Sequence, residues 1–159
     1  MELFGQDLMS NEKIGESWNI VDRDEEQSRC EISKGKFLSI RELIEQRTLE
    51  LMGPKWKKNK RFPILVKWLD CQERLSLQVH PPEEMAAKLK GEPKTENWYV
   101  VNSTKDAGLF LGFKKGVTKS QFQKALTESK AESLCHRVSS KQNDSVFVES
   151  GRIHAIDGG

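Results

Sequence analysis

Hydrophobic and polar side chains alternate over residues 75–80, and this alternation predicts a β-strand. The three apolar residues would face one side, whereas Ser76, Gln78 and His80 would face the other, because successive side chains of a strand point to opposite faces. Pro81 then ends the strand, since proline cannot donate to a ladder. The polar face would either be solvated, as in an edge strand, or line a polar pocket.

The spacing of apolar residues predicts further elements on both sides of this strand. Ser39 and Thr118 stand three residues before Glu42 and Gln121, which is the capping-box pattern at the start of a helix. Strands are expected over residues 15–21, 29–32, 36–38, 62–70, 95–102, 109–113, 145–148 and 152–156. Helices are expected between residues 39 and 53, over 82–90, from 118 onward, and over 131–138.

Many short strands with a few helices are typical of a mainly β fold, a β-sandwich or jelly roll decorated by helices. The length of 159 residues fits a single domain. No apolar run approaches about 18 residues, so no membrane partner is expected. The net charge of +2 argues against a polyanionic partner such as a nucleic acid.

The three cysteines, Cys30, Cys71 and Cys135, are far apart in the sequence and form no CxxC pair. This pattern predicts reduced thiols in a cytoplasmic protein. Residues 1–5 lack the basic and then apolar region with which a secretion signal begins. A cytoplasmic location is therefore expected.

Residues 55–61 form a basic cluster around Trp56. Basic residues that surround an aromatic ring are able to bind RNA. The cluster lies between an expected helix end at Gly53 and an expected strand, which favours a solvated loop. We take the solvated loop as the main interpretation and RNA binding as the alternative.

Two of the three histidines, His80 and His154, lie in expected strands, and Glu96 lies between them in the sequence. Together with Gln78 they offer two imidazoles, one carboxylate and one amide oxygen, a donor set that suits zinc with a position open to water or substrate. His136 lies in an expected helix and is interpreted as structural or surface-exposed. Because three separate strands carry the four ligands, their spacing alone leaves their convergence open.

Four segments are distinctive: GESW at residues 15–18, LSLQVHP at 75–81, KTENWY at 94–99 and GRIHAI at 151–156. In this order they resemble the type I mannose-6-phosphate isomerases, a family of zinc-dependent cupins. The resemblance covers nearly the whole chain, and the Gln-x-His-Pro part is its most specific piece. It implies a mainly β cupin jelly roll, a sandwich or barrel of strands with a few peripheral helices.

The resemblance also implies the residues of the site. The family's zinc ligands are matched by Gln78, His80, Glu96 and His154. Ser76 and Lys94 match residues that line the sugar-phosphate site, and Lys94 is the candidate catalytic residue, as base or as phosphate contact. The implied activity interconverts mannose 6-phosphate and fructose 6-phosphate through an enediol, with one zinc ion per chain.

The chain departs from the family pattern in two turns and at its ends. Glu149 replaces the usual proline before a turn, and a glycine expected near Asn143 is absent. Residues 1–159 are expected to form a single cupin-type catalytic domain that is truncated at both ends and lacks a later strand with a catalytic arginine. We therefore expect weak isomerase activity, and either a monomer or self-association through open strand edges.

Two other functions stay open at this point. The chain could be a zinc-binding cupin without catalysis that binds a sugar or sugar phosphate as a regulatory module. It could also be a structural domain whose histidine-bearing strands are merely polar. Metal analysis separates the structural domain from the other two, and a coupled isomerase assay separates an enzyme from a binding module.

Overall fold

The computed structural model describes residues 15–57 and 59–159. The chain divides into two compact units, Met1–Asp70 and Cys71–Gly159. The expectation about a secretion signal concerns residues 1–5, which lie outside the described residues. Among the helices that are described, none is long and apolar enough to cross a membrane.

The first unit contains two antiparallel strand pairs and two short helices. Its elements are β1 (Glu16–Ile20), β2 (Arg29–Ser33), β3 (Lys36–Ser39), α1 (Ile40–Gln46), α2 (Thr48–Met52) and β4 (Val66–Leu69). β1 pairs with β4, and β2 forms the expected hairpin with β3. The capping box of α1 is confirmed, because Ser39 Oγ accepts from the Glu42 N–H while the Glu42 carboxylate accepts from the Ser39 N–H.

Two elements of the first unit are shorter than the sequence predicts. The expected helix is interrupted at Arg47, whose φ of −127° lies outside the helical range. The strand expected over residues 62–70 is reduced to β4. Its first part cannot join a ladder, since the Phe62 N–H donates to the Asp22 carboxylate at 2.7 Å and Pro63 has no N–H.

The second unit carries the segments with candidate chemistry. Its elements are α3 (Glu83–Leu89), β5 (Glu96–Tyr99), β6 (Gly108–Phe113), α4 (Lys119–Thr127), a 3₁₀ helix (Ala131–Leu134), β7 (Cys135–Ser139), β8 (Ser145–Val148) and β9 (His154–Ile156). β6 lies between β7 and β9, and β5 pairs with β8. Across the described part of the chain, the strands form pairs and one triplet, and they do not close into a barrel.

The core of the second unit lies against the β7-β6-β9 sheet. Phe110 of β6, Cys135 of β7 and Ala155 of β9 are buried together, and Leu77 and Phe122 pack on this cluster. Burial of one large apolar side chain contributes about 1.5–3 kcal/mol. The same burial fixes β9, whose first residue is His154.

The prediction of a strand over residues 75–80 is wrong. The segment makes one isolated bridge instead, which joins Gln78 to His154, and a second bridge joins the preceding Arg74 to Asp157. The alternation holds at Leu77, which packs on the core, but Val79 is 52% exposed. The physical reason is a change of register, since the bridges from Arg74 to Asp157 and from Gln78 to His154 span four residues on one side and three on the other, and cannot belong to one continuous ladder.

The prediction of a helix over residues 131–138 is wrong in its second half. Only Ala131–Leu134 is helical, as a 3₁₀ helix, and β7 follows directly. Residues 135–139 pair with β6, and this tertiary pairing overrides local helix propensity. His136 consequently lies on an exposed strand position rather than in a helix.

Asp157 follows β9 and joins two arginines of the second unit. Its carboxylate pairs with Arg137 Nε at 2.5 Å and with Arg74 Nε, and its side chain is only 9% exposed. Burial would raise the pKa of Asp157, but the two arginines outweigh it and hold this pKa below its ordinary value. The carboxylate therefore stabilises the fold at neutral pH.

Asp157→Asn should lower the free energy of unfolding by about 1–2 kcal/mol, a modest value because both arginines are partly exposed. The contribution is present above the ordinary aspartate pKa and is lost as the pH falls through the lowered pKa. Urea unfolding at neutral and at acidic pH measures the difference. The exposed control Asp106→Asn should change stability by less than about 0.5 kcal/mol, and an equal loss in both variants would contradict the role of the arginine pairs.

Candidate metal centre

Three of the four predicted ligands converge in the second unit. His154 Nε2 lies 3.1 Å from Glu96 Oε2, and His80 Nε2 lies 4.0 Å from the same oxygen. The two imidazole rings are tilted at 41° with centroids 5.3 Å apart. One donor atom from each residue falls within 4.8 Å of the other two.

Different elements carry each of the three side chains. His154 opens β9 and is held by a pair of 2.9 Å hydrogen bonds between its own main chain and that of Gln78. His80 follows two residues after Gln78, just before the two prolines that precede α3. Glu96 opens β5, opposite Val148 of β8. The convergence therefore depends on long-range pairing, which the spacing of the residues does not reveal.

Gln78, the fourth predicted ligand, stands beside this cluster. Residues that are directly opposite in an antiparallel pair project to the same face, so the Gln78 side chain shares a face with His154. Its Nε2 donates to Ser76 Oγ at 2.9 Å, so the amide oxygen is the atom that would be available to a metal. Ligation by Gln78 stays a prediction, and so does a substrate contact by Ser76.

Lys94 is joined to the cluster through Glu96. Its ammonium Nζ lies 2.9 Å from Glu96 Oε1, and its side chain is mostly buried. The sequence predicts that Lys94 and Glu96 share one strand face, but β5 begins only at Glu96. The extended segment before β5 nevertheless brings the ammonium group to the carboxylate.

The tautomer of His154 is fixed by a main-chain oxygen. Nδ1 lies 2.7 Å from the Arg152 carbonyl oxygen, which can only accept, so Nδ1 carries a proton. Nε2 is buried, has no hydrogen-bond partner among the described residues, and lies 3.1 Å from Glu96 Oε2. A positive charge between the two atoms, either a proton on the imidazole or a bound cation, would favour this short separation.

The charges of the cluster shift its titration. Burial would raise the pKa of Glu96, but His154 and Lys94 outweigh it and lower this pKa to about 2. Burial would lower the pKa of His154, but Glu96 and the Arg152 carbonyl outweigh it and raise this pKa above its ordinary value. At neutral pH Glu96 is therefore an ionised carboxylate, the form that binds a metal ion.

The donor set fits a zinc ion. Ligands at zinc bond lengths of about 2.0–2.2 Å in a tetrahedral arrangement are about 3.3 Å apart. The observed 3.1 Å and 4.0 Å separations around Glu96 Oε2 bracket that value. Two imidazoles and one carboxylate, with the second nitrogen of His154 bound to a carbonyl, are typical of a catalytic zinc site.

Sequence reasoning missed two neighbours of the site. Trp98 packs its ring edge against the His154 ring, with centroids 5.6 Å apart at 70°. A signal was available, since Trp98 stands two residues after Glu96 on β5 and shares its face. The Arg152 carbonyl had no such signal, because every residue type has a main-chain oxygen that could make this contact.

The family model "Phosphomannose isomerase type I, catalytic domain" matches residues 2–111. The chain belongs to the type I phosphomannose isomerase family. Among curated phosphomannose isomerases, ManA of Bacillus subtilis is 34% identical over 98% of this chain and 49% of its own length. The mannose-6-phosphate isomerase of Streptococcus mutans is 32% identical over 98% of this chain and 48% of its own length.

A solved structure confirms that this chain has the fold of the phosphomannose isomerases. The crystal structure of mannose 6-phosphate isomerase from Bacillus subtilis matches with a TM-score of 0.76 and 27% identity, over 91% of this chain and 46% of the other. The predicted mainly β cupin class is therefore right. The chain spans about half the length of the curated phosphomannose isomerases that it matches.

Glu96→Gln should lower the pKa of His154 in the metal-free chain. The substitution removes the carboxylate that stabilises the imidazolium, while burial and the nearby Lys94 charge continue to disfavour it. Titration of the His154 ring by NMR measures the shift, with Glu128→Gln of the helix end as a carboxylate control. An unchanged His154 titration in Glu96→Gln would contradict the pairing.

Proposed function

We propose that this chain binds one zinc ion through Gln78, His80, Glu96 and His154. The observation that supports the proposal is the convergence of two imidazole nitrogens on one ionised carboxylate. The buried Nε2 of His154 adds support, since its lone pair is directed by the Nδ1 bond on the opposite side of the ring. The protein would supply two imidazoles, one carboxylate and one amide oxygen, and a substrate oxygen would bind as a fifth ligand, as zinc allows in catalytic sites.

We propose that the whole protein acts as an aldose-ketose isomerase that interconverts mannose 6-phosphate and fructose 6-phosphate. Membership of the family and the names of the relatives support this activity. In the reaction, a proton leaves C2 of the aldose, an enediol forms, and a proton is delivered to C1. A bound zinc ion would supply Lewis-acid polarisation of the sugar oxygens, worth several kcal/mol.

Lys94 is proposed to hold or move a proton, or to contact the phosphate. Its Nζ lies 2.9 Å from Oε1 of the proposed ligand Glu96, so the ammonium group would be close to a metal bound by that carboxylate. An amine can accept the carbon-bound proton, and an ammonium ion can bind a phosphate dianion. Ser76 is proposed to donate its hydroxyl to the sugar phosphate. The hydrogen bond that Ser76 Oγ accepts from the proposed ligand Gln78 supports this position beside the centre.

The remaining parts of the proposal concern the whole chain. We propose that residues 1–159 belong to one cupin-type catalytic domain whose partner is a small sugar phosphate. Self-association through strand edges stays a prediction, supported by Tyr99 and Phe147, which are 60% and 62% exposed on the β5-β8 pair. A cytoplasmic location also stays a prediction.

His80→Ala or His154→Ala should abolish stoichiometric zinc binding, because each removes one imidazole of the cluster. Dialysis against zinc followed by elemental analysis should give about one zinc per wild-type chain. The matched control is His136→Ala, which changes an exposed histidine and should retain about one zinc. Equal zinc contents in all four proteins would contradict the proposed centre.

In the whole protein, Lys94→Met should reduce kcat by about 10²–10⁴-fold while the zinc content stays near that of the wild type. A coupled assay of fructose 6-phosphate formation measures turnover, and the exposed Lys88→Met of α3 is the control. Equal loss of zinc and turnover would mean that Lys94 only supports the fold. A zinc-loaded wild type that binds mannose 6-phosphate without turnover would instead identify a non-catalytic binding module.

A further inference from the structure

One turn contacts all three segments that carry the converging ligands. The Gly151 N–H donates to the His80 carbonyl oxygen at 2.6 Å, and the Arg152 carbonyl accepts from His154 Nδ1 at 2.7 Å. The Ser150 N–H donates to Thr95 Oγ1 at 3.4 Å, on the residue next to Glu96. The turn is closed by the Arg152 N–H, which donates to the Glu149 carbonyl at 3.1 Å.

We infer that the turn of residues 149–152 is a positioning element that sets the metal affinity of the centre, an inference that rests on the proposed zinc site. It acts through main-chain groups, so its side chains need not touch the metal. It locates the main chain of one histidine, orients the ring of the other, and contacts the strand start that carries the carboxylate. Loss of such partners of metal ligands typically costs 10–100-fold in metal affinity.

Gly151 is the residue on which this geometry depends. Its φ of +84° lies in the left-handed region, which L-residues rarely adopt. An added Cβ would meet only Pro82 side-chain atoms, at 3.8 Å and 3.9 Å, which is ordinary contact. Gly151→Ala would therefore act through the backbone conformation, and it would move the N–H and the neighbouring carbonyl that hold the two histidines.

Gly116 provides a matched control in the same unit. Its φ is +86°, an added Cβ would meet nothing within 4 Å, and it lies in the turn before α4. Gly151→Ala and Gly116→Ala should thus lower the melting temperature of the metal-free chain by similar amounts, since both force alanine into the same conformation. A purely structural role for Gly151 predicts that the two variants also behave alike toward zinc.

The experiment measures zinc affinity by competition with a chromophoric chelator, alongside thermal unfolding of the metal-free proteins. We expect at least a tenfold loss of affinity in Gly151→Ala and less than a twofold change in Gly116→Ala. Equal affinities in the two variants would overturn the inference. A wild type that binds no zinc would overturn the proposed centre, and the role of the turn with it.

Thr95→Val is a second test that holds even if Gly151→Ala fails to fold. It removes the exposed hydroxyl that accepts from the Ser150 N–H and keeps the shape of the side chain. We expect about a threefold loss of zinc affinity, a smaller effect because the bond is long. Thr127→Val, which removes a hydroxyl bonded within α4, is its control, and equal zinc affinities in this pair would contradict the inference.

Discussion

The main-chain pair between Gln78 and His154 is the interaction on which the site depends. Each residue donates its N–H to the carbonyl of the other at 2.9 Å, and this joins the segment before His80 to β9. Two such bonds contribute only about 0.5–1.5 kcal/mol each. They persist because Leu77 on one side and Ala155 on the other are packed on the same core. The ligands are thus held by apolar packing beneath them.

Glu96 is an ionised carboxylate that is only 15% exposed and lies between the Lys94 ammonium group and the His154 ring. These two partners outweigh the burial of the carboxylate and lower its pKa to about 2. The ionised Glu96 therefore favours the folded chain at neutral pH, as Asp157 does. Asp157 differs from Glu96 in its partners, since it follows β9 and bonds to two partly exposed arginines, whereas Glu96 faces two imidazoles that offer metal-ligand atoms.

Local signals were predictable from the sequence, and long-range pairing was not. The capping boxes at Ser39 and Thr118 are confirmed, because a cap is decided within four residues. The strand over residues 75–80 and the second half of the helix over 131–138 failed, since strand formation depends on a partner far away in the sequence.

The site shows the same difference between features that the sequence predicts and features that depend on the fold. The residue types of His80, Glu96 and His154 indicated zinc, and the family resemblance indicated that they meet. The contact between His154 and the Arg152 carbonyl could not be predicted, because any residue would offer the same oxygen at that position. Main-chain contacts of this kind become visible only when the turn conformation is known.

The charge between His154 and Glu96 also couples metal binding to hydrogen ions. Without a metal, the Glu96 carboxylate favours a proton on His154 and raises its pKa above the ordinary value, although burial opposes this. On the proposed centre, His154 must give up this proton when a metal takes its lone pair, so binding releases acid. On the proposed centre, hydrogen ions and the metal would compete for the same ligand atom, so acidification would weaken metal binding.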